Sequence, residues 1–160
     1  MRRTKYLATA LVAATAMALL PGGAAAAAKS TKAKTFRCAL ELIAQGKPNP
    51  SGSHFGFARC PAPFGKGVQY NTYTVTPSSP TSGSIAGKFK NYYNTGTARG
   101  TFALTFSATS PANVTYTGTV TYTGGTGALR HVKGTGTVAC TTTDGGANKS
   151  CVVNSKLTGV

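Results

Sequence analysis

A chain of 160 residues has the length of one domain, and 41% apolar residues suffice for a globular core. Lys and Arg number 17 against two acids, Glu41 and Asp144, for a formal charge of +15. With 20 glycines, no tryptophan and abundant Thr, Tyr and Val, the composition points away from a helical protein and toward an all-β one, because branched and aromatic side chains pack well on a pleated surface.

Residues 1–28 read as a secretory signal peptide. Arg2, Arg3 and Lys5 form a positive start, residues 6–20 are an apolar run, and the alanines at 24–28 offer several A-x-A sites, with cleavage expected near residues 26–28. The run of about 15 residues falls short of the roughly 20 that span a bilayer. No later segment is apolar enough either, so the mature chain is expected outside the cell without a membrane span. Removing Arg2, Arg3 and Lys5 takes the charge from +15 to +12. Residues 29–34 (KSTKAK) then form a basic, flexible N-terminal arm, and 35–160 form the folded domain.

Export makes the four cysteines disulfide partners, with three pairings open to them. Cys38 and Cys60 lie in strand-like runs separated by a Pro/Gly/Ser/Asn loop at 46–53. Cys140 and Cys151 flank TTTDGGANKS, where Asp144-Gly145-Gly146 signals a turn. The expected bonds are therefore Cys38–Cys60 and Cys140–Cys151, each tying a hairpin near its loop and contributing about 3 kcal/mol by loop-closure entropy. The spacings contain no C-x-x-C, and neither a metal nor a cofactor is expected.

Eight strands are predicted, at 35–44, 54–60, 68–76, 83–91, 98–108, 113–123, 129–141 and 149–157, separated by Pro-, Gly- and Asn-rich turns. No window has a convincing apolar period of 3.6. The alternation assigns faces: Phe102, Leu104 and Phe106 share one side of their strand, as do Val114, Tyr116, Gly118, Val120 and Tyr122 of the next. Val138 shares a parity with Cys140, and Val153 and Leu157 with Cys151, which puts both cysteines on the inward face. Gly87, Gly118, Gly134 and Gly136, inside strands, suggest bends or bulges. About eight antiparallel strands with no helix to cover an edge are best served by a closed barrel; a two-sheet β-sandwich is the alternative.

The stretch Tyr116 to Gly134, YTGTVTYTGGTGALRHVKG, resembles the signature of the allene oxide cyclase/dirigent barrels, in which a strand runs into G-G-T-G-x-F and then a small-basic-glycine step. Gly124, Gly125, Thr126, Gly127 and Gly134 match it, while Leu129 stands where an aromatic is usual and Lys133 where Arg is common. The wider pattern is similar to secreted actinobacterial proteins carrying this fold. The resemblance implies an eight-stranded antiparallel barrel with an apolar interior, and relatives that cyclise an epoxide, steer a radical coupling or catalyse pericyclic closures. It carries no catalytic residue over to this chain. Glu41 alternates with Leu40 and Leu42 and points away from the side bearing Cys38, as a surface residue paired with Arg37 or another base; Asp144 sits in a turn.

His54 and His131 have no recognisable nucleophile or orienting acid and read as surface or turn residues. Gly124 to Gly127 is a strand corner, since no Lys-Ser/Thr of a phosphate loop follows. Three functions are left. The first is a non-enzymatic binding or accessory protein holding a small apolar ligand, lined by Phe102, Leu104, Phe106, Tyr116, Val120 and Tyr122, unless these side chains simply fill the barrel. The second is a basic protein binding an anionic polymer or surface, with Lys88, Lys90, Arg130 and Lys133 as contacts and the aromatics of KFKNYY (Phe89, Tyr92, Tyr93) as a stacking platform. Along the chain the basic residues, Lys66, Arg99, Lys149 and Lys156 among them, look scattered over different strands and loops. The third is an enzyme of the cyclase or pericyclase type, without metal. A dimer or trimer is open, since no strand declares itself an interface.

Overall fold

The computed structural model describes residues 32–47 and 50–160. The signal-peptide expectation lies outside them, as does most of the basic arm. Eight strands follow in order: β1 (Lys34–Ala44), β2 (Ser51–Arg59), β3 (Lys66–Ser79), β4 (Ser82–Tyr93), β5 (Gly96–Ala108), β6 (Val114–Gly125), β7 (Lys133–Thr142) and β8 (Asn148–Thr158), with one 3-10 turn at Gly127–Leu129. Each strand pairs antiparallel with its chain neighbours, and β1 pairs with β8. The sheet closes into an eight-stranded barrel, which leaves no exposed edge; the sandwich alternative is not adopted.

The period of two that runs through the sequence becomes the inside and outside of this barrel. Phe36, Cys38, Leu40 and Leu42 of β1, Tyr116, Val120 and Tyr122 of β6, and Val153 and Leu157 of β8 are all buried. Phe102 lies opposite Val120 and Phe106 opposite Tyr116, so the apolar faces of β5 and β6 form one wall. Most strand threonines face outward and some pair across strands, as where Thr105 Oγ1 lies 3.5 Å from that of Thr117, whereas Thr142 is buried.

Several local expectations change. Lys34 belongs to β1, opposite Leu157, and not to the arm. The seventh strand begins at Lys133 and not at residue 129, because residues 127–132 leave the ladder and bury Leu129 and Val132 completely. Gly87, Gly118, Gly134 and Gly136 sit in unbroken ladders; the register shifts fall at Arg99/Gly100 and Pro77/Ser79. Gly87 gives room to a ring: a Cβ there would lie 2.6 Å from Phe102 Cζ. Both expected disulfides are formed. Cys140–Cys151 lies near its loop, but Cys38–Cys60 does not. Because Ala39 registers with Arg59, Cys38 and Cys60 meet at the end of the β1–β2 hairpin farthest from its loop.

One end of the barrel is closed. It carries the β2–β3, β4–β5 and β6–β7 connections. Phe64, from the loop that holds the cis Ala62–Pro63 bond, packs edge-on against Phe36 at 5.1 Å and Tyr93 at 5.4 Å. The Gly124–Gly127 corner completes the plug. Gly127 has φ +56°, a left-handed conformation that favours glycine, and a Cβ there would lie 2.6 Å from the Thr95 carbonyl oxygen. Thr126 binds across to β5, its Oγ1 accepting from the Thr97 amide at 3.1 Å. This corner therefore holds Leu129 and Val132 over the barrel's base.

Candidate functional site

The opposite end, formed by the β1–β2, β3–β4, β5–β6 and β7–β8 connections, is open. Among the described residues, its loops carry no large apolar side chain that could fold over the mouth. A recess of about 560 Å³ remains there, walled by Val75, Ile85, Phe106, Val114 and Tyr116 and floored by His54, Tyr73 and Lys149. This volume lies within the range of small-molecule sites. Below the floor, the barrel interior keeps only about 60 Å³. The predicted lining residues divide accordingly. Phe102, Leu104, Val120 and Tyr122 surround the small interior gap, Phe106 lines the recess, and Tyr116 borders both.

The floor holds a polar cluster absent from the sequence expectations. His54, expected at the surface, is buried at 5% exposure, and Lys149, counted among scattered basic residues, is buried at 8%. Lys149 Nζ donates to the Gly146 carbonyl oxygen at 2.6 Å and lies 2.7 Å from His54 Nε2. Since the lysine can only donate here, Nε2 accepts, and the proton of the neutral imidazole sits on Nδ1, which donates to Asn71 Oδ1 at 3.0 Å. The Tyr73 ring stacks on the imidazole at 4.5 Å, and Lys149 Nζ stands 5.3 Å from the centre of the Tyr116 ring.

Burial is the main cause of the unusual acidities. It lowers His54 to about 4, with the Lys149 charge adding to the effect and the Asn71 bond opposing it. It lowers Lys149 to about 8, against the opposing pull of Asp144. Burial also raises the Tyr73 and Tyr116 phenols. Asp144 does not meet the lysine as a hydrogen-bond partner. Its carboxylate accepts from Thr142 Oγ1 at 2.6 Å and from Asn148 Nδ2 at 2.7 Å and backbone N at 3.0 Å, which holds it well below the usual carboxylate range. The bonds fix the β7–β8 turn, and Thr142 Oγ1 also accepts from the Gly146 amide at 3.2 Å. The turn thereby presents the Gly146 carbonyl to Lys149.

The parity of the strands carries a signal for this cluster. Lys149 has the parity of Cys151 and Val153, His54 that of Ala58, and Asn71 that of Tyr73. Inward parity applied to polar residues finds Lys149 and Asn71, but in β2 the large apolar Phe55 and Phe57 face outward and hide the inward side of His54.

Glu41 is exposed as expected, but its hydrogen-bond partner is Ser150, at 3.1 Å, and not Arg37. His131 is exposed beyond the closed end and accepts from Arg130 Nε at 2.9 Å. The KFKNYY stretch does not present one aromatic platform. Phe89 packs inward on Tyr122 and Tyr93 on Phe64, leaving Tyr92 outside with Lys90 Nζ 4.9 Å from its ring centre.

Most basic residues, scattered in the sequence, gather in space, while Lys47 and Lys149 stand at the open end. Lys34 and Arg37 open β1, Arg59 ends β2 and Lys66 begins β3, all near the closed end. Lys88 and Lys90 lie in the second half of β4, with Arg99 across from Lys90 on β5. Arg130, Lys133 and Lys156 complete an exposed belt around that end. Both acids lie toward the open end, Glu41 in the last part of β1 and Asp144 in the β7–β8 turn.

Among the described residues, no group of three or more His, Cys, Asp or Glu is arranged to hold a metal ion, and no helix is long and apolar enough to cross a membrane. Compared with family models, with curated proteins and with solved structures, the chain matches none.

Proposed function

We propose that this protein is a secreted, disulfide-tied barrel that holds a small, largely apolar molecule in the recess at its open end. The observation that carries the reading is the asymmetry of the barrel: one end is plugged, while the other leaves about 560 Å³ above a floor of His54, Tyr73 and Lys149. The ligand sits higher than the sequence suggests, against Phe106 and Tyr116 and not deep among Phe102, Leu104, Val120 and Tyr122, where about 60 Å³ is too little. The resemblance to allene oxide cyclase/dirigent barrels, carried by Gly124 to Gly127 and Gly134, agrees with a ligand-holding role and adds no catalytic residue.

Titration with N-phenyl-1-naphthylamine, a neutral apolar fluorophore, tests this reading. Saturable binding of one probe per chain, insensitive to salt and lost in Ala108→Trp, which fills the recess wall, is the expected result. Absence of saturable binding, or binding unchanged by Ala108→Trp, overturns it.

A second reading is favoured by the basic belt. The exposed charges around the closed end suit docking on an anionic polymer while the mouth stays free. Binding to a polyanion such as heparin then weakens linearly in log salt, with a slope that shrinks by about one per charge removed in Lys90→Ala and Arg99→Ala. A slope unchanged by both substitutions rejects the belt as the contact.

A further inference from the structure

We infer that Lys149 is a carbonyl-capturing amine, holding an apolar aldehyde or ketone in the recess as an imine on its Nζ. This rests on the recess being the ligand site and adds the chemical class of the ligand.

Three observations lead there. Lys149 is the buried primary amine on the floor of the recess, at the foot of apolar walls from Ile85, Phe106 and Val114, whereas Lys47, also in the lining, is exposed. Its surroundings suit the free base: the side chain is 8% exposed, and its hydrogen-bond partners are the neutral Gly146 carbonyl and neutral His54. Asp144, the carboxylate of the neighbouring turn, is committed to Thr142 and Asn148. An ammonium in this position lacks the paired counter-ion that a buried charge ordinarily requires. Burial accordingly lowers Lys149 to about 8, so about a tenth of it is unprotonated at neutral pH, far more than for a lysine at 10.5. Desolvated lysines of this kind are the ones that add to carbonyl groups.

The step balances without an oxidant or reductant. The Nζ lone pair attacks the carbonyl carbon, and the carbonyl π pair moves onto oxygen. The nitrogen loses one proton, for which His54 Nε2, 2.7 Å away, is the nearest acceptor, and the oxygen gains one to give a neutral carbinolamine. The nitrogen lone pair then forms the C=N bond as the C–O bond breaks, and the second N–H proton leaves with the hydroxyl as water. The net change is amine plus carbonyl to imine plus one water. The open mouth admits the carbonyl compound and releases the water, and the apolar walls take its remaining carbons.

The test uses the disulfide-intact protein with cinnamaldehyde at pH 7, trapped by cyanoborohydride and mapped by peptide mass, beside equilibrium binding of cinnamyl alcohol, which has the same carbons but no carbonyl. Expected is one reduced adduct on Lys149, formed at least roughly tenfold faster than on exposed Lys88 or Lys90, with a rate that rises through pH 8. Lys149→Arg loses this adduct, while the control Lys88→Arg keeps both the adduct and the binding of cinnamyl alcohol. If the alcohol binds saturably while Lys149 is left unlabelled, or is labelled no faster than Lys88 and Lys90, the imine inference is overturned and the recess stands as a ligand site. If neither compound binds, both readings fall together.

Discussion

The two ends of the barrel are built from the same strands and differ in almost everything else. At the closed end the connecting loops carry Phe64, Leu129 and Val132, which turn inward and finish the core. At the open end the connections are glycine-, proline- and asparagine-rich, and the barrel stops at a floor of His54, Tyr73 and Lys149. The closed end carries its charges outside, in the basic belt; the open end exposes Glu41, Lys47 and Asp144 but buries Lys149. The apolar plug and the polar-floored recess are thus separated along one axis. Strands set the walls, but the apolar content of the loops decides which mouth is shut.

That separation can be broken first at the plug. Leu129→Ala removes a fully buried side chain from a site held by the glycine corner, and should cost about 2–5 kcal/mol in chemical denaturation. Lys149→Met at the other end should cost far less near pH 7, because an apolar side chain replaces a buried amine that has hydrogen bonds to Gly146 and His54 but no counter-ion. A large loss from Lys149→Met and a small one from Leu129→Ala would reverse the roles assigned to the two ends.

The disulfides sharpen the comparison next. Replacing either pair by alanines should cost roughly 3 kcal/mol by loop-closure entropy. The closed-end bond Cys38–Cys60 spans 22 residues and Cys140–Cys151 spans 11, so losing the former should cost about 0.6 kcal/mol more. Equal midpoint shifts in urea for the two variants would count against chain entropy as the source.

The smallest effects concern pH, and they belong to the open end alone. Lys149 is lowered from 10.5 to about 8 in the folded chain, so between these values the unfolded chain binds the extra proton. Stability should therefore rise by about 1–3 kcal/mol as pH climbs from 8 to 10.5, relative to Lys149→Met, which lacks that limb. His54, lowered from 6.5 to about 4, should give stability that is complete above pH 6.5 and lost as pH falls toward 4. In His54→Gln that part of the acid limb should vanish, and an unaltered limb would show that another group carries it.

Much of this molecule is legible in the chain. Alternation marks the eight strands and, from β5 to β8, their inward faces, but in β2 it misleads, because Phe55 and Phe57 are 42% and 55% exposed while His54 and Ala58 point inward. Cysteine parity agrees with the disulfides that form, and closure follows from an all-β chain with no helix to cover an edge. Tertiary structure alone decided which end is plugged, since that depends on loop side chains such as Phe64 and Leu129 reaching across the barrel. It also gathered basic residues dispersed from Lys34 to Lys156 into one belt, by bringing the starts of odd strands beside the ends of even ones. Above all it set Lys149 against His54, 95 positions away in the chain, because closing β8 onto β1 and pairing β1 with β2 brings their inward faces together. The alternation places Lys149 on the inward side with Cys151 and Val153, whereas His54 is turned inward, and made its neighbour, only by the closed barrel, which leaves Phe55 and Phe57 outside.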